Sequence, residues 1–150
     1  EQIGLGYNYR ITDLQAALGT SQLSHLASRQ AERERLALRY DALLSGGDFK
    51  LPSRQDGYVS ANHLYVVELL DDGASRATVF ENMRANNIGV NVHYIPVHMQ
   101  PYYARFGFGR GQFPASENYY DRAISIPLFS EMTDAQQDRV VATLQESLRQ

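Results

Sequence analysis

The sequence predicts an α/β chain of the α+β kind, in which helices flank a small, mostly antiparallel sheet. This prediction rests on the order of three segments. A long apolar stretch begins at His63, a capped helical pattern follows it, and an alternating stretch then ends at Tyr94. A further short apolar stretch, the third candidate strand, begins at Ile124. This order favours a split β-α-β sheet in which the third strand pairs between the first two. The chain has 150 residues, of which 43% are hydrophobic, and this is enough for one buried core.

Two helices are predicted ahead of the sheet. Thr12 and Gln15 have the spacing of a capping box, in which each side chain accepts from the other residue's backbone amide, and they predict a helix over 12–24. A second helix over 26–44 ends at paired glycines. Its apolar face consists of Leu36, Tyr40, Leu43 and Leu44.

The central segments alternate between strand and helix. Residues 63–70 are apolar on both faces, which predicts a strand that is covered on both sides. Ser75 is a favourable N-cap for a short helix that buries Val79, Phe80 and Met83. Residues 88–94 alternate and predict a second strand. One face of that strand carries Ile88, Val90 and Val92, and the other carries Asn91 and His93.

The last third of the chain contains an aromatic loop, a short helix, a strand and a longer helix. Residues 96–112 are aromatic and rich in turn formers, which predicts a loop. Pro114 favours the first turn of a helix, and residues 124–127 are typical of a brief strand. Thr133 and Gln136 repeat the capping-box spacing. The final helix is expected to bury Gln137, Val140, Val141, Leu144 and Leu148.

Composition argues against several classes of function. The net charge is −3, so no strongly basic face is expected and nucleic acid is not an expected partner. The absence of cysteine removes disulfides, thiolate nucleophiles and cysteine metal sites. No apolar run has membrane-spanning length and no signal peptide is recognisable, so we expect a cytoplasmic protein without a membrane partner. Because the chain begins at Glu1, a preceding segment is also expected.

The segment before the first helix is a functional candidate. Tyr7, Asn8, Tyr9 and Arg10 directly precede the helix start at Thr12. The free amides and the dipole of a helix favour an anion at its N-terminus. The sequence therefore predicts an anion-binding segment here.

The remaining candidates are weaker. His93 and His98 have no acidic or cysteine third ligand close in sequence, so no metal site is predicted. His93 is instead expected to be a polar group at a cleft, where a strand meets a proline turn. Residues 107–111 are glycine-rich but lack the lysine and hydroxyl of a phosphate loop, which predicts an ordinary loop. Lys50, the only lysine, is expected to lie exposed in a loop. The aromatic residues of 94–108 could form a core layer or stack on a flat ligand, and the sequence leaves both possibilities open.

Three motifs in the same order resemble one family. Residues 6–18, Gly-Tyr-Asn-Tyr-Arg-Ile-Thr-Asp-Leu-Gln-Ala-Ala-Leu, resemble the helix entry of the DegT/StrS-type sugar-nucleotide aminotransferases, which use pyridoxal 5′-phosphate (PLP). Residues 89–98 with 101–103, and residues 123–128, are similar to later motifs of that family. Within the family, the combination most resembles the transaminases of the pseudaminic acid pathway.

The resemblance implies that this chain is the end of a fold-type-I aminotransferase. Residues 1–45 would be the helical segment that ends the large PLP domain and leads out of it, and residues 46–150 would be the small C-terminal domain. The family's Schiff-base lysine precedes the residue 6–18 motif, so the resemblance assigns no catalytic residue to this chain. Asn8 is similar to an asparagine that reaches the cofactor phosphate, in most members from the neighbouring subunit, and Arg10 lies beside it. The segment implied to line the nucleotide-sugar pocket is Asn91, Val92, His93 and Tyr94, with Asn91 shorter than the glutamine common in relatives.

The implied reaction moves an amino group from L-glutamate to the C4 ketone of a UDP-linked 4-keto-6-deoxy sugar, in pseudaminic acid or other surface-glycan biosynthesis. The full protein would be a homodimer, and this chain alone is expected to be inactive. Exposed Leu14 and Leu18 would mark a surface that the preceding domain covers. Two alternatives stay open: a non-catalytic regulator or sensor of the same family, and an independent nucleotide-binding module. A lysine upstream would exclude the first, and binding of UDP or PLP by this chain alone would support the second.

Overall fold

The computed structural model of the protein describes residues 4, 6–7, 9–70 and 75–149. Its helices are α1 (Asp13–Leu23), α2 (Leu26–Leu44), α3 (Arg76–Ala85), α4 (Pro101–Ala104), α5 (Pro114–Arg122) and α6 (Asp134–Glu146). Its strands are β1 (Phe49–Lys50), β2 (Tyr65–Leu69) and β3 (Ala123–Ile126), and one 3₁₀ turn spans Val97–Met99. No helix within the described ranges is long and apolar enough to cross a membrane.

The three strands form one antiparallel sheet in the order β1-β2-β3. Phe49 of β1 lies opposite Leu69, and Tyr65 at the other end of β2 lies opposite Ile126 of β3. The structure therefore confirms the predicted class, a small antiparallel sheet flanked by helices. The sequence analysis missed β1, because two residues are too few to show an alternating pattern.

Helices α2, α3 and α6 pack on one face of this sheet. Tyr65, Val67 and Leu69 of β2 face these helices, and they are at most 2% exposed. The helices contribute the buried side chains Leu36, Ala37, Tyr40, Leu44, Val79, Met83, Val140, Val141 and Leu144. Burial of each large apolar side chain stabilises the fold by about 1.5–3 kcal/mol, so this cluster fixes the sheet against the helices.

The helix predictions agree with the structure in most details. The two threonines cap α1 and α6 through complete capping boxes, and the hydroxyl of Ser75 accepts from the amide of Thr78 at 3.1 Å. Four of the five side chains predicted for the stripe of α6 are buried, including Gln137, whose amide donates to the carbonyl of Leu36 at 2.7 Å. The fifth, Leu148, follows the end of α6 and is half-buried. The inward position predicted for Leu43 is wrong, because this side chain is 37% exposed and Leu44 fills the core instead.

The predicted strand over 88–94 does not form as a regular strand. Ile88 and Val90 are buried as expected, but the segment joins the sheet only through an isolated bridge between Asn91 and Ser125. The residues two positions before and two positions after Ser125 explain why this bridge does not extend into a ladder. The amide of Ala123 donates to Tyr119 in α5, and Pro127 has no amide to donate. Ser125 nevertheless lies between β2 and this segment, which is the order predicted for the split sheet.

The predicted loop over 96–112 contains two short ordered elements, the 3₁₀ turn Val97–Met99 and the helix α4. Pro101 occupies the first turn of α4, where its missing amide costs nothing. Both elements are too short to show a helical period in the sequence.

Candidate functional site

His93 is the best-positioned polar residue of the predicted site. Its Nδ1 atom lies 2.8 Å from the hydroxyl oxygen of Ser125, a residue that is 5% exposed. The backbones are bonded as well, because Asn91 and Ser125 exchange amide-to-carbonyl hydrogen bonds of 3.1 and 2.8 Å. The ring of Tyr94 meets the ring of His93 edge to face at a centroid distance of 4.6 Å. The imidazole is therefore held on one side by the sheet and on another by an aromatic ring.

The other members of the predicted segment line the same surface. Asn91 is exposed, Val92 and His93 are half-buried, and Tyr94 is 75% exposed. The peptide bond between His93 and Tyr94 is cis. The structure thus brings the four predicted residues together beside β3, with polar and aromatic groups open to solvent.

The predicted anion-binding segment lies before α1. The rings of Tyr7 and Tyr9 are stacked at 5.5 Å and are 87% and 91% exposed. Arg10 is exposed, and Asn8 lies outside the described residues. The dipole of α1 favours an anion at this end, although the carboxylate of Asp13 in the first turn opposes it.

Helix α1 presents an uncovered apolar surface. None of its residues is buried, and Leu14 and Leu18 are 85% and 63% exposed. This confirms the exposure predicted for the two leucines. A surface of this kind normally marks an interface.

The glycine-rich loop does bind an anion, and this anion is a side chain of the protein itself, the carboxylate of Glu117. Glu117, which is 6% exposed, accepts from the amide of Gly111 at 2.9 and 2.7 Å and from the amide of Phe113 at 3.1 Å. Its carboxylate also lies 2.8 Å from Nε2 of the buried His98. The two backbone amides, followed by the His98 contact, hold the pKa of Glu117 below its usual range. His98 is consequently a structural residue here, and within the described residues no group of three or more potential ligands could hold a metal ion.

The aromatic residues of 94–108 lie on the surface, so the core-layer interpretation is wrong. Tyr102 and Phe106 are 57% and 60% exposed, and the guanidinium of Arg105 lies 3.7 Å from the centre of the Tyr102 ring. Beside them is a shallow hollow of about 420 Å³. Its lining consists of Val97, His98, Tyr103, Phe108, Phe113 and Ser116.

Lys50 lies on β1 rather than in the loop that was predicted. Its ammonium group is 2.8 Å from the carboxylate of Glu68, the residue opposite it on β2, and its side chain is 63% exposed. The pair is a cross-strand contact of the kind that stabilises a sheet edge. This arrangement gives Lys50 a structural role.

The sequence analysis missed Ser125 and Glu117. Each makes its key contact over a long sequence distance, since Ser125 and His93 are 32 residues apart and Glu117 and His98 are 19 apart. For Ser125, one signal was present: it is a lone hydroxyl between isoleucines in a predicted strand. For Glu117, no local sequence pattern predicted that its carboxylate would bind the amides of the glycine-rich loop.

With the geometry in place, the comparisons with known proteins identify the family. The model of the DegT/DnrJ/EryC1/StrS aminotransferase family matches residues 1–145. This chain belongs to that family. The spore coat polysaccharide biosynthesis protein SpsC of Bacillus subtilis is 37% identical over 149 residues, which are 96% of this chain and 38% of SpsC. The chain therefore spans well under half the length of the curated relatives that it matches.

Solved structures agree with this assignment. The putative sugar aminotransferase Spr1654 of Streptococcus pneumoniae, in its PLP form, superposes with a TM-score of 0.88 at 25% identity over 98% of this chain and 38% of Spr1654. It has also been solved in a PMP form, so PLP is the cofactor of this family, as the resemblance implied. PseC of Helicobacter pylori, an aminotransferase of pseudaminic acid biosynthesis, has a TM-score of 0.84 over 99% of this chain and 40% of PseC. Its identity is 23%, and this likeness shows the fold alone.

Proposed function

We propose that this chain is the carboxyl-terminal part of a PLP-dependent aminotransferase that transfers an amino group from L-glutamate to the C4 ketone of a UDP-linked 4-keto-6-deoxy sugar. The observation that carries the proposal is the family match over residues 1–145. The polysaccharide role in the name of SpsC supports a place in surface-glycan biosynthesis. The pseudaminic acid pathway is supported by the resemblance of the combined motifs, residues 6–18, 89–103 and 123–128, to its transaminases.

The sugar nucleotide would contact the segment Asn91, Val92, His93 and Tyr94. This segment combines a fixed imidazole, an exposed amide and an exposed aromatic ring on one surface. A ligand with a flat base, hydroxyls and phosphate oxygens matches those groups chemically.

Among the described residues, we propose contacts only to the phosphate end of PLP. Arg10 and the N-terminus of α1 suit its phosphate, and we propose that Asn8 contacts it from the neighbouring subunit of a homodimer. The amine that the cofactor needs is not supplied here, since the only lysine is paired with Glu68 at a sheet edge. PLP supplies an electron sink for the transfer of the amino group. Residues preceding this chain would provide the lysine, and the chain alone would be inactive.

The exposed apolar surface of α1 agrees with the proposed division of the protein. In this division, residues 1–45 border the large domain and residues 46–150 form the small one. Leu14 and Leu18 would be covered by the preceding domain or by the partner subunit.

The test is the activity of the full protein with L-glutamate and the UDP-linked keto sugar. Mass spectrometry would follow the amino-sugar nucleotide, and a coupled assay would follow 2-oxoglutarate. His93→Ala is expected to raise KM for the sugar nucleotide about tenfold, because a hydrogen bond to the ligand is lost. The matched control is His25→Ala, since this exposed imidazole makes no capping bond. An unchanged KM in His93→Ala, or a full protein without any transfer activity, would contradict the proposal.

A further inference from the structure

The bond between His93 and Ser125 determines more than the position of the imidazole. A hydroxyl both donates and accepts, and an imidazole nitrogen does one or the other according to its tautomer. The distance of 2.8 Å is compatible with either direction. The surroundings of the hydroxyl decide between them.

Ser125 has its backbone groups fully occupied. Its amide donates to Asn91 and its carbonyl accepts from Asn91. Within the described part of the chain, the only hydrogen-bond partner of its hydroxyl is Nδ1 of His93. Because Ser125 is 5% exposed, a hydroxyl proton that did not point at Nδ1 would be buried without an acceptor. The hydroxyl therefore donates to an unprotonated Nδ1.

The remaining ring nitrogen then carries the proton. With Nδ1 accepting, the neutral imidazole has its hydrogen on Nε2. Among the described residues Nε2 has no hydrogen-bond partner, and it is not one of the buried unpartnered side-chain atoms. The half-buried ring thus presents an accessible N–H donor on the surface formed by residues 91–94.

We propose that Ser125 is a positioning residue that fixes His93 as a neutral hydrogen-bond donor through Nε2, directed to an acceptor oxygen of the sugar nucleotide. This inference rests on the proposed function, and it adds the direction of the hydrogen bond and the residue that sets it. Ser125 itself does not touch the ligand, and it acts only through the imidazole.

The first experiment determines the tautomer of the His93 imidazole in the absence of substrate. Long-range ¹H–¹⁵N spectra of the full protein labelled at histidine distinguish protonated from unprotonated ring nitrogens, and His93→Gln assigns the resonance. The wild type is expected to show protonated Nε2 and unprotonated Nδ1, and Ser125→Ala is expected to show a mixture of both tautomers. A proton on Nδ1 in the wild type, or the same single tautomer in Ser125→Ala, would overturn the inference.

The second experiment reads binding. Ser125→Ala is expected to raise KM for the sugar nucleotide about fivefold with kcat little changed, because the donor is no longer fixed. The double variant Ser125→Ala/His93→Ala should match His93→Ala alone, since Ser125 acts only through His93. Additive effects of the two substitutions would overturn the inference.

The control is Ser147→Ala, which removes another buried serine hydroxyl, one that donates to the carbonyl of Thr143 at 2.8 Å. It should leave KM unchanged. Titration with UDP and with UDP-N-acetylglucosamine locates the acceptor. Weaker binding of both to Ser125→Ala places it on the UDP moiety, and weaker binding of the sugar nucleotide alone places it on the sugar. Unchanged binding of both ligands counts against the inference.

The proposed function and the proposed role of Ser125 can be refuted independently of each other. If His93→Ala does not change KM while the tautomer in the wild type is as expected, the assigned substrate segment and the donation to the sugar nucleotide are wrong, and only the bond by which Ser125 fixes the tautomer stands. If KM rises in His93→Ala and the tautomer does not depend on Ser125, the positioning role alone is wrong.

Discussion

Tyr40→Phe tests the packing that positions the candidate site. Tyr40 is fully buried in α2, and its hydroxyl donates to the carbonyl of Pro127 at 2.9 Å. Pro127 follows β3 directly, two residues after Ser125. Burial raises the pKa of Tyr40 above its usual range, so the hydroxyl stays protonated and donating at neutral pH. One bond therefore links the helical layer to the strand that holds His93.

The expected loss follows from the surroundings of that bond. A neutral hydrogen bond contributes about 1 kcal/mol, and a buried acceptor left without its donor costs about 1–3 kcal/mol. Pro127 is half-buried, so water compensates in part. We expect a loss of about 1.5 kcal/mol, which corresponds to about 3–6 °C in the Tm of the transition in which this part of the protein unfolds.

The assay is thermal unfolding of the full protein, combined with amide hydrogen exchange in α2 and β3, which reports the local opening free energy. Tyr58→Phe is the control, because this ring is 76% exposed and its change should stay within about 0.5 kcal/mol. If Tyr40→Phe shifts Tm by less than about 1 °C and exchange in β3 is unchanged, the hydroxyl does not anchor the strand and the reasoning is refuted.

Two further predictions concern the charged pairs. Lys50→Met should leave the activity of the full protein intact and change its stability by less than about 0.5 kcal/mol, because the Lys50 side chain is 63% exposed and water screens its pair with Glu68. Loss of activity would show that Lys50 does more than stabilise the sheet edge. Glu117→Gln should lower Tm at neutral pH, since it weakens the bonds that hold residues 111–113. The folded pKa of Glu117 lies below its ordinary value of 4.5, so its stabilisation is present above that value and is lost as pH falls through the folded pKa. The difference in Tm between wild type and Glu117→Gln should therefore shrink on acidification, whereas exposed Glu131→Gln should show little difference at any pH.

Local patterns predicted most of the helices. The threonines that cap α1 and α6 bond to side chains and amides three residues away, and such contacts depend only on the neighbouring sequence. The stripe of α6 follows from the 3.6-residue period in the same way. The sequence analysis missed β1 and α4, which have two and four residues and are too short to show a period.

The candidate site was predicted in part. The motif over 89–98 drew attention to His93 as a candidate, and the structure shows that Ser125 is its hydrogen-bond partner. That partner depends on the register of β3 against the segment at Asn91, which in turn depends on the amide of Ala123 being used by α5 and on Pro127 having none. No window of sequence contains all of these residues.

The sequence by itself determined the caps of α1, α3 and α6, the buried stripe of α6 and membership of an aminotransferase family. Each of these is encoded in contacts or motifs within a short stretch of chain. The tertiary structure alone decided that Ser125 holds His93, that Glu117 occupies the glycine-rich loop and that Lys50 pairs with Glu68. The physical reason is that hydrogen bonds and ion pairs act over about 3 Å, so residues far apart in sequence interact only where packing and strand register bring them together.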